Sequence, residues 1–220
     1  MMQNANVTDK SLIIFDWDGT LMDSIGLIVE SMHHAAAGFN LTTTDTAVKD
    51  IIGLSLERGI EILFPALSNS DKALLQERYS DYYIANSDQT PFFAPIEPML
   101  KSLNSEGKTL AVATGKKRRG LDRILSVSNS SDYFAITRCT DEAKSKPHPQ
   151  MLIDILEATK TPIEDTVYIG DSIFDIQMAN QLEMTSIAVS YGAAKAEHLA
   201  AQNPSYQVAT PDELAKLLCG

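Results

Sequence analysis

Short, uninterrupted apolar runs that stop at a polar residue constrain this chain more than any other feature. Residues 12–15 (Leu-Ile-Ile-Phe) form the first, and similar runs recur at 110–113, 167–169 and 186–189, with weaker ones near 134–136 and 206–208. Strands without the polar alternation of a half-exposed sheet are buried on both faces, the condition of a parallel sheet covered by helices. Segments with helical spacing lie between the later runs: Met99, Leu100 and Leu103 after Pro98 and before Gly107; then Met151, Leu152, Ile155 and Leu156; then Ile173, Ile176 and Ala179. From about residue 95 onward the order is strand then helix, which predicts a doubly wound α/β core.

Residues 22–92 interrupt this alternation. Ser24 is placed to cap a helix with the stripe Ile25, Ile28, Val29, Met32 and Ala36; Ser55 and Ser70 are placed to cap two more, carrying Ile60, Leu63 and Phe64, then Leu74, Leu75, Tyr79 and Tyr82. No strand is expected there. The division predicted is therefore a Rossmann-like core of residues 1–21 and 93–220, with an all-helical cap of 22–92 inserted after the first strand. Inserted modules of this kind cover the ligand crevice at the carboxyl ends of strands.

Charge and cysteine content narrow the function classes. The 220 residues carry 18 Lys and Arg against 29 Asp and Glu, a net charge of −11, and a field of that sign repels nucleic-acid and membrane phosphates. Cys139 and Cys219 are far apart and in no metal-ligand spacing, so neither a disulfide framework nor a zinc site is expected and a reducing cytoplasm is the simplest home. The first apolar run is too short for a signal-peptide core, and no segment approaches the about 20 apolar residues that span a bilayer. Oligomeric state leaves no trace in the sequence.

The chemistry is concentrated where the apolar runs end. The first leads directly into Asp16-Trp17-Asp18-Gly19-Thr20-Leu21, and the run at 167–169 leads into Gly170-Asp171-Ser172-Ile173-Phe174-Asp175. Carboxylates at the carboxyl ends of parallel strands face the ligand crevice, and neighbouring acids repel unless a cation neutralises them or one keeps a proton. Taken alone, the first hexapeptide also reads as an Asp-Gly turn, and Asp171-Ser172 as a helix cap. A set of oxygen ligands suits Mg²⁺. On the positive side, the run at 110–113 ends in Thr114-Gly115, and Lys146 stands in Ser145-Lys146-Pro147-His148-Pro149, a loop stiffened by its prolines.

These motifs, in this order, resemble those of the haloacid dehalogenase superfamily of phosphotransferases, and within it the phosphoglycolate phosphatase-like group with a helical cap. The resemblance spans nearly the whole chain. It implies that Asp16 is the nucleophile that forms an aspartyl-phosphate, and that Asp18 is the general acid and then the base. It further implies that Mg²⁺ is held by the carboxylates of Asp16 and Asp171 and the backbone carbonyl of Asp18, with Asp175 behind them holding Lys146 or a water on the cation. Thr114, Gly115 and Lys146 then bind the phosphoryl oxygens of a small phosphomonoester. Asp18 argues against dehalogenation, because the dehalogenases of this superfamily lack a carboxylate two residues after the nucleophile. A phosphomutase of the β-phosphoglucomutase type remains an alternative, as do a receiver-like signalling domain and a silent, partner-binding relative. Where relatives often carry Ala-Gly-Met after the last motif, this chain has Leu182-Glu183-Met184.

Lys116-Lys117-Arg118-Arg119 reads as a solvated helix start or a local positive field for an anionic substrate. Arg58 in the cap is a candidate for a substrate carboxylate or a second phosphate. His33, at the edge of the first cap helix's stripe, and Tyr79, Tyr82 and Tyr83 read as packing or surface residues, and only the backbone of Trp17 is expected to matter.

Overall fold

The computed structural model describes residues 6–220. Its centre is a parallel sheet of six strands: β1 (Leu12–Phe15), β2 (Thr109–Thr114), β3 (Ile136–Cys139), β4 (Thr166–Gly170), β5 (Thr185–Val189) and β6 (Tyr206–Val208), in the order β3-β2-β1-β4-β5-β6. β1 is central, with Phe15 opposite Val112 of β2 on one side and Ile169 of β4 on the other. Every residue of β1 is buried, as its apolar run predicts. Alternate side chains serve opposite layers. Ile13 and Phe15 pack with residues of α5 (Ile96–Ser105), α6 (Arg118–Val127) and α10 (Pro211–Cys219), whereas Leu12 and Ile14 pack with α7 (Gln150–Thr159) and α8 (Ile173–Asn180). A short α9 (Ala196–Ala200) completes the second layer through Leu199.

The strand order reverses between β1 and β4, because β2 and β3 extend to one side of β1 and β4, β5 and β6 to the other. In open α/β sheets a crevice opens at that switch point, outside the carboxyl ends of the two strands. Asp16 follows β1 and Asp171 follows β4, so the topology alone brings the two acids to the crevice.

Between β1 and α5 lie α1 (Ile25–Ala37), α2 (Asp45–Lys49), α3 (Leu56–Leu63) and α4 (Asn69–Asn86). They share a separate apolar cluster that includes Met32, Val48, Ile60 and Leu75. The chain enters and leaves this insertion through paired segments: Met22 bridges Phe92, the N–H of Asp23 donates to Pro91 O (3.0 Å) and that of Phe93 donates to Leu21 O (3.0 Å).

Several sequence expectations shift. The strand expected near 134–136 is β3, which begins at Ile136; Phe134 instead lies buried before it, edge-on to Trp17. α4 is capped by Ser68, whose Oγ accepts from the Asp71 N–H, and not by Ser70. Leu74 is half exposed rather than part of the stripe, and α2, capped by Thr44, was not foreseen. Ser24 stands at the start of α1 but makes no side-chain cap bond, because its hydroxyl is used elsewhere. Glu183 adopts a left-handed conformation (φ 52°), a small local cost at the end of the turn after α8. Among the described residues no helix is long and apolar enough to cross a membrane.

Candidate active site

The crevice is built from the strand ends upward. After β1 the backbone turns at Gly19 (φ 73°), and a Cβ there would lie 2.2 Å from Asp171 Oδ2. Gly192, after β5, is equally tight: its Cβ would lie 2.3 Å from the same oxygen. Backbone from two loops is thus pressed against the Asp171 carboxylate, which only residues without a side chain permit. Thr20 Oγ1 donates to Asp171 Oδ1 (3.2 Å) and the Ala193 N–H to Oδ2 (2.7 Å). Tyr191 donates its hydroxyl to Thr20 O (2.9 Å), tying the two loops together.

Asp16, Asp171 and Asp175 are all buried, and one carboxylate oxygen from each lies within 4.8 Å of the others. Lys146 enters this cluster with its side chain fully buried; its Nζ stands 2.8 Å from Asp16 Oδ1 and 2.7 Å from Asp175 Oδ1. Asp175 is otherwise saturated. Tyr168 donates its hydroxyl to Oδ1 (2.7 Å), while the N–H and the hydroxyl of Ser172 both donate to Oδ2 (3.0 and 2.7 Å). Ser172 and Asp175 together make a capping box at the start of α8, so the cap reading of this motif and its place in the site are both true.

Burial dominates the electrostatics. It pushes Asp16 from 3.8 up to about 7 although the Lys146 ammonium pulls the other way, and it holds Asp171 well above the usual carboxylate range, with the charges of Asp16 and Asp175 adding to the effect. Desolvation opposes the charge on Lys146, but Asp16 and Asp175 outweigh it and raise its pKa. One ammonium among three carboxylates leaves the pocket short of positive charge. An all-oxygen donor set with that deficit fits a divalent cation such as Mg²⁺.

Asp18 faces the opposite way. Its carboxylate is outside the buried cluster: Oδ1 accepts from Ser24 Oγ (2.7 Å) and lies 3.5 Å from the Tyr83 hydroxyl of α4, and Oδ2 pairs with Lys116 Nζ at 3.0 Å. Lys116 also donates to the Tyr83 hydroxyl (3.0 Å) and lies over the Tyr83 ring, 4.4 Å from its centroid. Tyr83 is therefore more than the packing residue its helical spacing suggests. The basic run does not form an open patch: Lys117 pairs with Glu57, and Arg118 with Glu142 (2.7 Å) and Asp122 (3.1 Å). Arg58, a candidate for a substrate contact, is exposed on α3 and pairs with Glu61 at 2.8 Å. Trp17 contributes its side chain as well as its backbone, buried and edge-on to Phe92 and Phe134.

Thr114 is buried at the end of β2, its Oγ1 accepting from the Lys116 N–H (3.2 Å). Against Gly115 lies the loop before α3: a Cβ on Gly115 would meet Leu54 O at 2.6 Å and Gly53 O at 2.9 Å. The same loop donates the Ser55 N–H to Ser145 Oγ (3.3 Å), next to Lys146. The insertion thus seats directly on the motif residues.

Residues 13–189 match the model of the haloacid dehalogenase-like hydrolase family. The chain belongs to that family. It is 30% identical over 219 residues, 94% of each chain, to a phosphoglycolate phosphatase from Vibrio vulnificus strain CMCP6, and 32% identical over 190 residues, 82% of this chain and 81% of the other, to a phosphoglycolate phosphatase from Agrobacterium fabrum. A hydrolase from Pseudomonas syringae, 21% identical, shares the fold with a TM-score of 0.86 over 95% of this chain and 98% of its own. The chain is thus a haloacid dehalogenase-like hydrolase whose relatives named above are phosphatases, and it has the parallel sheet and helical insertion expected from its sequence.

Proposed function

We propose that the protein hydrolyses a small phosphomonoester through an aspartyl-phosphate on Asp16, with Mg²⁺ as its cation. The observation that carries this reading is the buried cluster of Asp16, Asp171 and Asp175 at the switch point, in which Lys146 pairs with Asp16 and Asp175. Asp16 and Asp171 would hold the cation together with the backbone carbonyl of Asp18, while Asp175, already saturated by Lys146, Tyr168 and Ser172, anchors Lys146. When bound, the cation supplies the positive charge that lets an anionic carboxylate meet an anionic phosphoryl group.

An Asp16 carboxylate oxygen attacks phosphorus in line; the P–O bond to the alcohol breaks as Asp18 delivers its proton to the leaving oxygen. Asp18, now a carboxylate, takes a proton from water as that water attacks the aspartyl-phosphate, releasing inorganic phosphate and restoring Asp16. Lys146, Thr114 and the backbone at Gly115 hold the phosphoryl oxygens. Residues 22–92 act as the cap that excludes bulk water, and residues 1–21 with 93–220 as the catalytic core; the paired neck at Met22–Phe92 and the separate apolar cluster of the insertion support this division.

The test is inorganic phosphate release from a panel of small phosphomonoesters with Mg²⁺ and with EDTA. Mg²⁺-dependent release is expected. No release from any ester, or isomerisation of a sugar phosphate without release, overturns the reading.

A further inference from the structure

Lys116 is a lysine without a place in the chemistry above. Its side chain is only 13% exposed, and its ammonium is held by Asp18 Oδ2 (3.0 Å) and by the hydroxyl and ring face of Tyr83 from the insertion. Burial works against its charge, but Asp18 and the tyrosine hydroxyls Tyr83 and Tyr79 around it outweigh that and raise its pKa. Several cations nearby have carboxylate partners outside this pair: Lys146 lies between Asp16 and Asp175, Lys117 is held by Glu57, Arg118 by Glu142 and Arg58 by Glu61.

The oxygen that Lys116 covers is the informative one. Asp18 Oδ1 is held by Ser24, which leaves Oδ2 as the oxygen free to turn toward a leaving group, and Lys116 stands on it. An uncharged leaving group has nothing to offer Lys116 in exchange. A leaving group with its own negative charge, a few atoms from the scissile oxygen, takes over the ammonium and frees Oδ2. The insertion keeps that leaving group short, because the Gly53 and Leu54 carbonyls are pressed against Gly115.

Building on the phosphatase reading, we propose that Lys116, backed by Tyr83, is the specificity-determining residue of this site and selects phosphoesters or phosphoanhydrides whose short leaving group carries a carboxylate or is itself a phosphoryl group. The pair is assembled from both parts of the molecule, Lys116 from the core and Tyr83 from α4, so selection is made only while the insertion is seated.

The experiment compares kcat/KM for 2-phosphoglycolate, pyrophosphate and ethyl phosphate, an ester of similar size without the second charge. The wild type is expected to favour at least one of the two anionic substrates over ethyl phosphate by about 30-fold or more, and which one it favours distinguishes carboxylate from phosphoryl recognition. Lys116→Met should cut that preference by about 30-fold, the worth of one charged hydrogen bond, mainly through KM. Lys116→Arg should retain most of the preference, and Tyr83→Phe, which keeps the ring but releases the ammonium, should lose only part of it. Thermal melts of each variant establish that it folds. Equal turnover of all three substrates by the wild type, or a loss in Lys116→Met of the same factor on every substrate, overturns the role of Lys116 and leaves the phosphatase standing. No turnover of any substrate overturns the phosphatase reading itself.

Discussion

Asp16 and Asp18 are separated by one residue and live in opposite surroundings. Asp16 belongs to the core end of the site: buried, beside a fully buried lysine, among partners contributed by β1, β4 and the loops that follow the sheet strands. Asp18 belongs to the insertion end: its carboxylate is partly exposed and its partners include a tyrosine from α4 and the serine that opens α1. At the core end, burial is the largest influence on the carboxylates. At the other end, the geometry of the carboxylate depends on helices that lie outside the sheet altogether. On the proposed reading, the carboxylate that attacks and the carboxylate that moves the proton are thereby held by different parts of the fold.

This contrast can be broken most sharply at Asp16. Asp16→Asn should lower phosphate release by at least about 10³-fold on every substrate while the melting curve stays cooperative, since the nucleophile is removed but its volume is kept. Wild-type rates would end the assignment. Lys146→Met should come next, lowering kcat by about 10²-fold or more and destabilising the protein by about 3 kcal/mol, because Asp16 and Asp175 are left buried without their cation. The same substitution at Lys116 should cost far less stability, and equal losses at the two lysines in chemical denaturation would erase the difference between the ends. Asp18→Asn should lower turnover of esters with poor alkyl leaving groups by about 10²-fold and that of p-nitrophenyl phosphate by less, since p-nitrophenolate leaves without a proton and only the later hydrolysis of the aspartyl-phosphate still calls on Asp18.

The smallest effect is in pH dependence. In metal-free protein, folded Asp16 keeps its proton up to about 7, whereas the unfolded chain releases it near 3.8. Between these values the native state binds more protons than the unfolded one, so stability contributed by this group falls as pH rises. Denaturant titrations at roughly pH 5.5 and 7.5 should differ by about 2 kcal/mol from this source, and Asp16→Asn should remove that part of the difference. Mg²⁺, which favours the ionised form, should shrink it too.

The core was legible because its strands are buried on both faces. Nothing polar interrupts residues 12–15 or 167–169, and the acids that follow stand out by contrast. β3 was harder to place, since an edge strand reading Ile-Thr-Arg-Cys carries polar residues and Phe134 next to it is apolar for a different reason, its packing on Trp17. In the insertion, helical periodicity located three of four helices, but the hydroxyl of Ser24 bonds Asp18 rather than the backbone of α1, which no local pattern reveals. Tyr83 and Lys116 are 33 positions apart and meet only in the folded chain. Gly192 and Ala193, which close on Asp171, were missed although a glycine soon after an apolar strand, at Val189-Ser190-Tyr191-Gly192, was the signal to follow.

The bare backbone at Gly115 also works as a door frame. Two carbonyls of the insertion rest where a side chain would otherwise project, so this seating requires a residue without a Cβ at position 115. A single added methyl, as in Gly115→Ala, would be a doorstop: it would hold the insertion ajar by its own thickness, leaving the acids in place behind an entrance that no longer latches.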